Sequence, residues 1–413
     1  MNFIYNLGIE AYRMGAKLAS LKSKKVKKMI DGQADTFRYL ESKRSEIEGC
    51  VWIHAASLGE FEQGRPLIER IRRDNPGERI LLTFFSPSGY EIRKNYSEVD
   101  GVCYLPFDTQ ANAERFVQTT KPKVAIFVKY EFWGNYLQSL QRHSVPTYII
   151  SSIFRPGQIF FRPWGGMFAN ILRCFHTMFV QDEASKSLLE SIGISNVVVA
   201  GDTRFDRVTD IQASCKRFDI LDQFAAADSR PILMMGSSWQ PDEDIVIPYF
   251  NEHPEMRLVI APHEFDEHRV EAMMQRIGRK TLRYTQITDP QQARECDCLI
   301  IDCFGILSSC YAYAQAAYIG GGFGVGIHNL NEAAVYGIPV IFGPNHYKFN
   351  EASELIACGG GFSISDARGF DQVFTRLLTD AQALEQSGKR AGDYIKSKLG
   401  ATDIVYKHIF TCK

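Results

Sequence analysis

The chain has 413 residues, 45% of them hydrophobic and 23% charged, with a formal net charge of −1. That length exceeds one ordinary core and sets an expectation of two domains. The composition is that of a globular chain, and the balanced charge gives no global electrostatic reason to bind nucleic acid.

The first residues depart from this balance. "MNFIYNLGIEAYRMGAKLASLKSKKVKKMI" spaces Phe3, Ile4, Leu7, Tyr12, Met14, Leu18 and Leu21 in a loose helical pattern, and residues 1–28 carry seven Lys/Arg against one Glu. The apolar run is too short and too interrupted to span a bilayer. It has no small-residue cleavage site after a long apolar stretch, which argues against a signal peptide. An apolar face followed by "KSKKVKK" predicts a segment lying on an anionic cytoplasmic leaflet. A surface helix with a solvated basic end is the plainer alternative.

Strand-like and helix-like runs then alternate. "CVWIHAAS", "ERILLTFFS", "VCYLPFD", "KVAIFVKY", "PTYIISSI", "TMFVQ" and "NVVVAGD" are separated by amphipathic segments. Continuous apolar strands between such helices predict a parallel sheet covered on both faces. The pattern restarts with "PILMMGSS", "MRLVIAP", "KTLRYTQ", "CLIIDCF", "AAYIGGG" and "PVIFGP", alternating with helices near 241–253, 265–277, 306–315 and 329–337. Two doubly wound α/β halves follow, hinged near "VAGDTRFDRVTD", with a ligand cleft expected at the carboxyl ends of the strands. A last helix near 383–398 has no strand of its own. The ten cysteines form no C-x-x-C pair and sit in runs such as "CDCLIIDC", so they read as reduced core residues of a cytosolic protein. The spacing of Cys296, Cys298, Cys303 and Cys310 suits no common zinc site.

The loops at the strand ends carry the candidate chemistry. "CVWIHAASLGEFEQ" mimics a strand–serine–helix elbow, but the elbow's first glycine is Ala55 and the strand is the first of its sheet, which argues against Ser57 as a nucleophile. Glu60 opens the following helix, where a carboxylate either takes a proton from a bound hydroxyl or simply answers the helix dipole. "KYEFWGN" places Glu131 at a second strand end. "FRPGQIFFRPWGG" offers Arg155 and Arg162 among aromatic residues, suited to an anionic lipid or to packing on its own domain. "GDTRFDR" and "IAPHEF" offer Arg204 and His263 to an anionic leaving group. "MMGSSWQPDED" offers Ser237 and Ser238 to a phosphate, and its acidic run either holds a metal or stabilises a first helical turn. In "YIGGGFGVGIHNLNEAAVYG" a glycine loop including Gly322 precedes a helix near Asn329. Such a loop lets backbone amides approach a phosphate, yet it matches neither the dinucleotide fingerprint nor the P-loop. Glu332 is placed to accept from ribose hydroxyls.

Together "WIHAASLGEFEQ", "KYEFWGN", "VAGDTRFD", "GSSWQPDE", "APHEF" and "GGGFGVGIHNLNEAAVYGIPVIFGP" resemble the 3-deoxy-D-manno-oct-2-ulosonic acid (Kdo) transferases of lipid A biosynthesis, over nearly the whole chain. The resemblance implies a GT-B fold: two doubly wound Rossmann-like domains facing a central cleft, with a short membrane-associated N-terminal helix. It implies inverting transfer of Kdo from CMP-Kdo to the lipid A precursor lipid IVA, with Glu60 as base and Glu131 as a second essential carboxylate. Its CMP-contacting segments fall on Pro262-His263, on Phe304-Gly305-Ile306 and on Asn329-Leu330-Asn331-Glu332. Arg204, Ser237, Ser238 and Gly322 would complete the donor site, and Ser57, Gly59, Arg155 and Arg162 would face the acceptor. Pro262-His263-Glu264 stands where the family often has P-R-H. No metal or cofactor is expected, and no nucleic-acid partner. The expected place is the cytoplasmic face of a bacterial inner membrane, bound to its anionic surface. The expected division is 1–30 (membrane-associated segment), 31–205 (acceptor domain), 206–390 (CMP-Kdo domain) and 391–413 (helical tail). An epimerase of the same fold and a non-catalytic sugar-nucleotide or lipid A binder remain as alternatives.

Overall fold

Alternate residues of the first strand serve two different cores. Val51, Ile53 and Ala55 join Phe61, Leu67 and Ile68 on one face of the sheet, while Trp52 joins Phe116, Phe127 and Tyr136 on the other. A strand covered on both faces must be apolar at nearly every position, and so it reads as an unbroken run. The computed structural model describes residues 3–324 and 326–411, and within them the chain forms two units, 3–207 with 399–411 and 208–398.

The first unit holds seven parallel strands: β1 Val51–His54, β2 Ile80–Phe84, β3 Gly101–Tyr104, β4 Val124–Val128, β5 Thr147–Ser152, β6 Thr177–Val180 and β7 Val197–Val199. Their order is β3-β2-β1-β4-β5-β6-β7, so the chain reverses direction across the sheet between β1 and β4. Loops at the carboxyl ends of those two strands part to opposite sides and leave room for a ligand. The second unit repeats the plan with β8 Ile232–Ser238, β9 Arg257–Pro262, β10 Thr281–Arg283, β11 Cys298–Ile300, β12 Ala316–Ile319, β13 Val340–Phe342 and β14 Gly361–Ser363. Their order is β10-β11-β9-β8-β12-β13-β14, with the reversal between β8 and β12. Lys129, Ser151 and Ser237 adopt left-handed backbone (φ 70°, 52° and 51°) at or near the carboxyl ends of β4, β5 and β8. Non-glycine residues enter that region only under constraint, and such strain gathers where chains bend around ligands.

The observed units differ from the expected division at both ends. The boundary at 30/31 falls inside a helix, Lys24–Ser42, which Gln33 and Thr36 tie to the first unit by accepting from Phe107 N–H and donating to Tyr104 O. The expected tail at 391–413 divides: the helix Ala381–Ser397 belongs to the second unit, and a further helix, Ala401–Phe410, returns to the first. There Asp403 pairs with Arg70 at 2.9 Å and Tyr406 accepts from Asn75 at 2.8 Å. Asp206 caps the helix by accepting from Gly400 and Thr402 N–H, both at 2.7 Å. The expected helices at 306–315 and 329–337 are single turns, Leu307–Cys310 and Asn331–Ala334.

The N-terminal helix, Phe3–Ser20, turns one face to the first unit and the other outward. Tyr5 donates to Asp108 at 2.6 Å and accepts from Gly134 N–H at 2.9 Å, while Asn6 accepts from Asn135 at 2.9 Å. Ile4, Leu7, Ala11, Met14, Leu18 and Leu21 are exposed. Their spacing of three and four residues makes one continuous apolar stripe. No helix among the described residues is long and apolar enough to cross a membrane.

Two predictions follow from the Tyr5–Asp108 contact. Tyr5→Phe should cost about 1.5–3 kcal/mol of local stability, as expected for a hydrogen bond to a buried carboxylate. Faster amide exchange along residues 3–20 would register it, and unchanged exchange would contradict it. Burial pushes the Asp108 carboxyl up to about 6 against three opposing donors, Tyr5 O–H and the N–H groups of Asn135 and Tyr136. The folded protein therefore holds a proton that the unfolded chain releases near pH 4. The stabilising contribution is full below about pH 4 and is lost as pH rises to about 6, a change of roughly 2 kcal/mol or more. Asp108→Asn should abolish that slope in urea titrations run across the window; an identical slope in both proteins would contradict the assignment.

Candidate functional site

The carboxyl edge of the first sheet gathers two carboxylates. Ser57 is the N-cap of the helix Leu58–Asp74, yet its hydroxyl does not cap the backbone and donates instead to Glu60 in the first turn. This hydrogen bond orients the Glu60 carboxylate and engages the Ser57 hydroxyl. His54 is turned to Glu131 and Thr83, so Ser57 lacks the imidazole partner that a nucleophilic serine needs. Gly59 is exposed beside them.

Glu131 lies in the bend after β4. Its Oε2 atom faces His54 Nε2 at 3.1 Å and accepts from the Trp133 indole. Phe132, between them, is held at 5.0 Å from Phe160 and 5.8 Å from Phe154. Trp133 lies tilted 4.9 Å from Phe85, which lies 5.8 Å from Phe107, and Tyr12 of the N-terminal helix completes the cluster 5.7 Å from Phe107. The loop at 154–166 therefore does two things. Phe154 and Phe160 pack into its own domain, while Arg155, Arg162 and Trp164, the last 74% accessible, stay outside.

Arg204 stands in the first unit, with Asp202. Its guanidinium contacts Asp202 Oδ2 at 2.7 and 2.9 Å, and Asp202 also accepts from Gln63 and Gln181. Burial alone would raise the Asp202 carboxyl, but the charge and hydrogen bonds of Arg204 outweigh it and hold the group below its ordinary value. The Tyr130 hydroxyl is raised by burial and feels Arg155, Arg204, Asp202 and Glu60, which places these groups in one electrostatic neighbourhood.

The second unit brings a different set together. Beyond β8, the rings of Trp239 and His263 stack at 4.6 Å and those of His263 and His328 at 4.6 Å. Trp239 Nε1 donates to His328 Nε2 at 3.1 Å. Burial, with His263 adjacent, lowers the His328 imidazole to about 4, so it is neutral and an acceptor at neutral pH. Asp242 is a strut for the glycine loop: it accepts from Gly321 N–H at 2.9 Å, Tyr318 O–H at 3.0 Å and Trp239 N–H at 2.9 Å. A Cβ on Gly322 would lie 2.6 Å from the Gly343 backbone, and one on Gly320 would lie 2.3 Å from Ser237 O. These glycines are required by close backbone packing.

Several expected donor residues are less accessible than their spacing implied. Ser238 is fully buried and donates to Glu243 at 2.9 Å, which in turn pairs with Arg269 at 2.6 Å. Leu330 and Asn331 are fully buried. Pro262 is buried, while Ser237, His263, Asn329 and Glu332 retain exposure. Asn329 donates to Glu332 at 2.9 Å and accepts from Asn331 N–H at 3.1 Å. Phe304 is 84% accessible, 4.5 Å from Phe265, and Gly305 turns beside it with φ 89° ahead of Ile306. The acidic run Asp242–Asp244 is divided among the glycine loop, Arg269 and Arg276, and among the described residues no three His, Cys, Asp or Glu side chains gather as metal ligands.

Residues 31–207 match the sequence profile described as 3-deoxy-D-manno-octulosonic-acid transferase (kdotransferase). The 3-deoxy-D-manno-octulosonic acid transferase of Aquifex aeolicus is 27% identical over 361 residues, covering 84% of this chain and 92% of its own. Among solved structures, UDP-GlcNAc 2-epimerase from Neisseria meningitidis aligns with a TM-score of 0.62 at 14% identity, covering 87% of this chain and 99% of its own. Acinetobacter baumannii MurG aligns at 0.58 and 13%, covering 88% and 99%. At such identities the structures establish the fold alone, the two-domain α/β architecture shared by GT-B glycosyltransferases and epimerases. The matched domain over 31–207 and the agreement along most of the chain are both with Kdo transferases, which are what this chain is similar to.

Proposed function

We propose that this protein is a Kdo glycosyltransferase that moves Kdo from CMP-Kdo to the lipid A precursor lipid IVA, with inversion. The observation that carries the reading is Glu60, set by Ser57 at the head of the helix that follows β1, on the sheet edge that also presents Glu131. Glu60 takes the proton of the attacking hydroxyl as the new bond to the anomeric carbon forms. The bond to CMP breaks from the opposite face, and its electron pair leaves on the phosphate. In the second unit, Ser237, His263, Asn329, Glu332 and the amides around Gly322 hold the donor, and exposed Phe304 offers an aromatic face to the cytosine. Exposed Arg155 gives the first unit a cation for the phosphorylated acceptor, in the same neighbourhood as Glu60 and as Arg204, whose charge is paired with Asp202. A monophosphate leaving group with this many donors is proposed to need no metal.

The same reading puts the protein on a bacterial inner membrane, at its cytoplasmic face. The acceptor is amphiphilic, and the N-terminal helix offers it a membrane-facing stripe, followed by exposed Lys22, Lys24, Lys25, Lys27 and Lys28. Each such lysine near an anionic surface contributes about 1 kcal/mol.

Glu60→Gln should lower transfer by about 10²–10⁴-fold while CMP binds as before; retention of more than a few per cent of the rate would exclude Glu60 as the base. Replacing the five lysines by Gln should weaken sedimentation with anionic liposomes and make the remainder insensitive to salt. Equal, equally salt-sensitive binding of both proteins would transfer the membrane contact to Trp164 and its loop.

A further inference from the structure

Strand β1 buries two polar rings that its apolar core does not require. Trp52, His54 and Thr83 are all fully inaccessible. Trp52 Nε1 donates to Thr83 Oγ1 at 2.8 Å, and Thr83 Oγ1 lies 2.9 Å from His54 Nδ1. The other ring nitrogen, Nε2, lies 3.1 Å from Glu131 Oε2, to which the Trp133 indole also donates. We propose that His54, set by Trp52 and Thr83, is a positioning residue that fixes the Glu131 carboxylate for the transfer reaction. The inference rests on Glu131 serving that reaction.

Counting protons favours one tautomer: the Trp133 indole N–H lies 3.2 Å from His54 Nε2 but closer to Glu131 Oε2, the charged acceptor. The Thr83 oxygen accepts from Trp52, so its own proton must be donated, and His54 Nδ1 is the acceptor in place. Nε2 then carries the ring proton and gives it to Glu131. The opposite tautomer would strand a buried hydroxyl proton, and its Nε2 lone pair, although 3.2 Å from Trp133 Nε1, would still face the carboxylate oxygen at 3.1 Å. The second contact of Nδ1, Thr83 O at 3.2 Å, already accepts from Ala55 N–H at 3.0 Å in the sheet. One run of hydrogen bonds thus passes from Trp52 through Thr83 and His54 to Glu131 and ends on one oxygen. His54 and Trp133 both converge on Oε2, so Oε1 is the atom left for a ligand among the described residues. His54 needs no contact with substrate; it acts by holding the plane of that carboxylate.

The test exploits the two amide isosteres of histidine. Glutamine reaches the place of Nε2 and keeps a donor for Glu131, whereas asparagine reaches only the place of Nδ1. His54→Asn should lower kcat by about 10²-fold with KM for both substrates little changed, as for a misplaced catalytic group. His54→Gln should recover activity to within about five-fold of the unaltered enzyme. Thr83→Val should fall between them. Indole N–H resonances give a readout independent of turnover: His54→Asn should shift that of Trp133, Thr83→Val that of Trp52, and neither should shift Trp164 or Trp239. Equal losses in the Asn and Gln variants, or an unshifted Trp133 resonance in His54→Asn, would overturn the assignment. Absence of Kdo transfer by the unaltered enzyme would instead overturn the proposed function, and the indole shifts would then decide the network alone.

Discussion

A parallel strand covered on both faces has no water to satisfy polar groups, and β1 is where that constraint bears hardest. It is a fully buried strand at the point where the strand order reverses, and it ends in the loop that carries Ser57 and Glu60. A histidine and a tryptophan nitrogen in such a strand destabilise it unless each finds a partner. Thr83 on the neighbouring strand serves both, and Glu131 beyond the next strand closes the series. Polar satisfaction of the core and orientation of the candidate site are therefore the same set of hydrogen bonds.

The second unit solves a related problem with backbone. Its glycine loop runs so close to the ends of β8 and β13 that side chains would collide with Ser237 and Gly343. Asp242, buried and raised by that burial, is kept in place by three donors. The first-turn carboxylate of Asp242 does two things: it stabilises the start of its own helix, by accepting from Trp239 N–H, and it supports the loop. The stacked Trp239, His263 and His328 rings then present one exposed imidazole, that of His263, beside one neutral acceptor.

Much of the architecture was legible because the strands are continuous apolar runs of period one, broken by helices of period 3.6; thirteen of the strands β1–β14 coincide with such runs. Strand β14, Gly361–Ser363, escaped notice because three residues at a sheet edge carry no periodicity. The return of the last helix to the first unit was also invisible: the pairing of Asp206 with Gly400 and Thr402 spans nearly two hundred residues, and local pattern holds no trace of it. In the candidate site, position after a strand end singles out Glu60 and Glu131 as candidates but cannot tell an outward serine from a buried one, so Ser237 and Ser238 read alike. His54 is hard to read from the sequence for the opposite reason. One polar residue within an apolar run looks like an ordinary core histidine until its partners on other strands are known.

The central claim is the reaction itself, and the most direct measurement is product analysis by mass and anomeric configuration. Incubated with CMP-Kdo and a tetraacylated lipid A precursor, the enzyme should release CMP only when acceptor is present and yield the lipid extended by Kdo with inverted configuration. Release of CMP without an extended lipid, or isomerisation of a sugar nucleotide without transfer, would contradict the account.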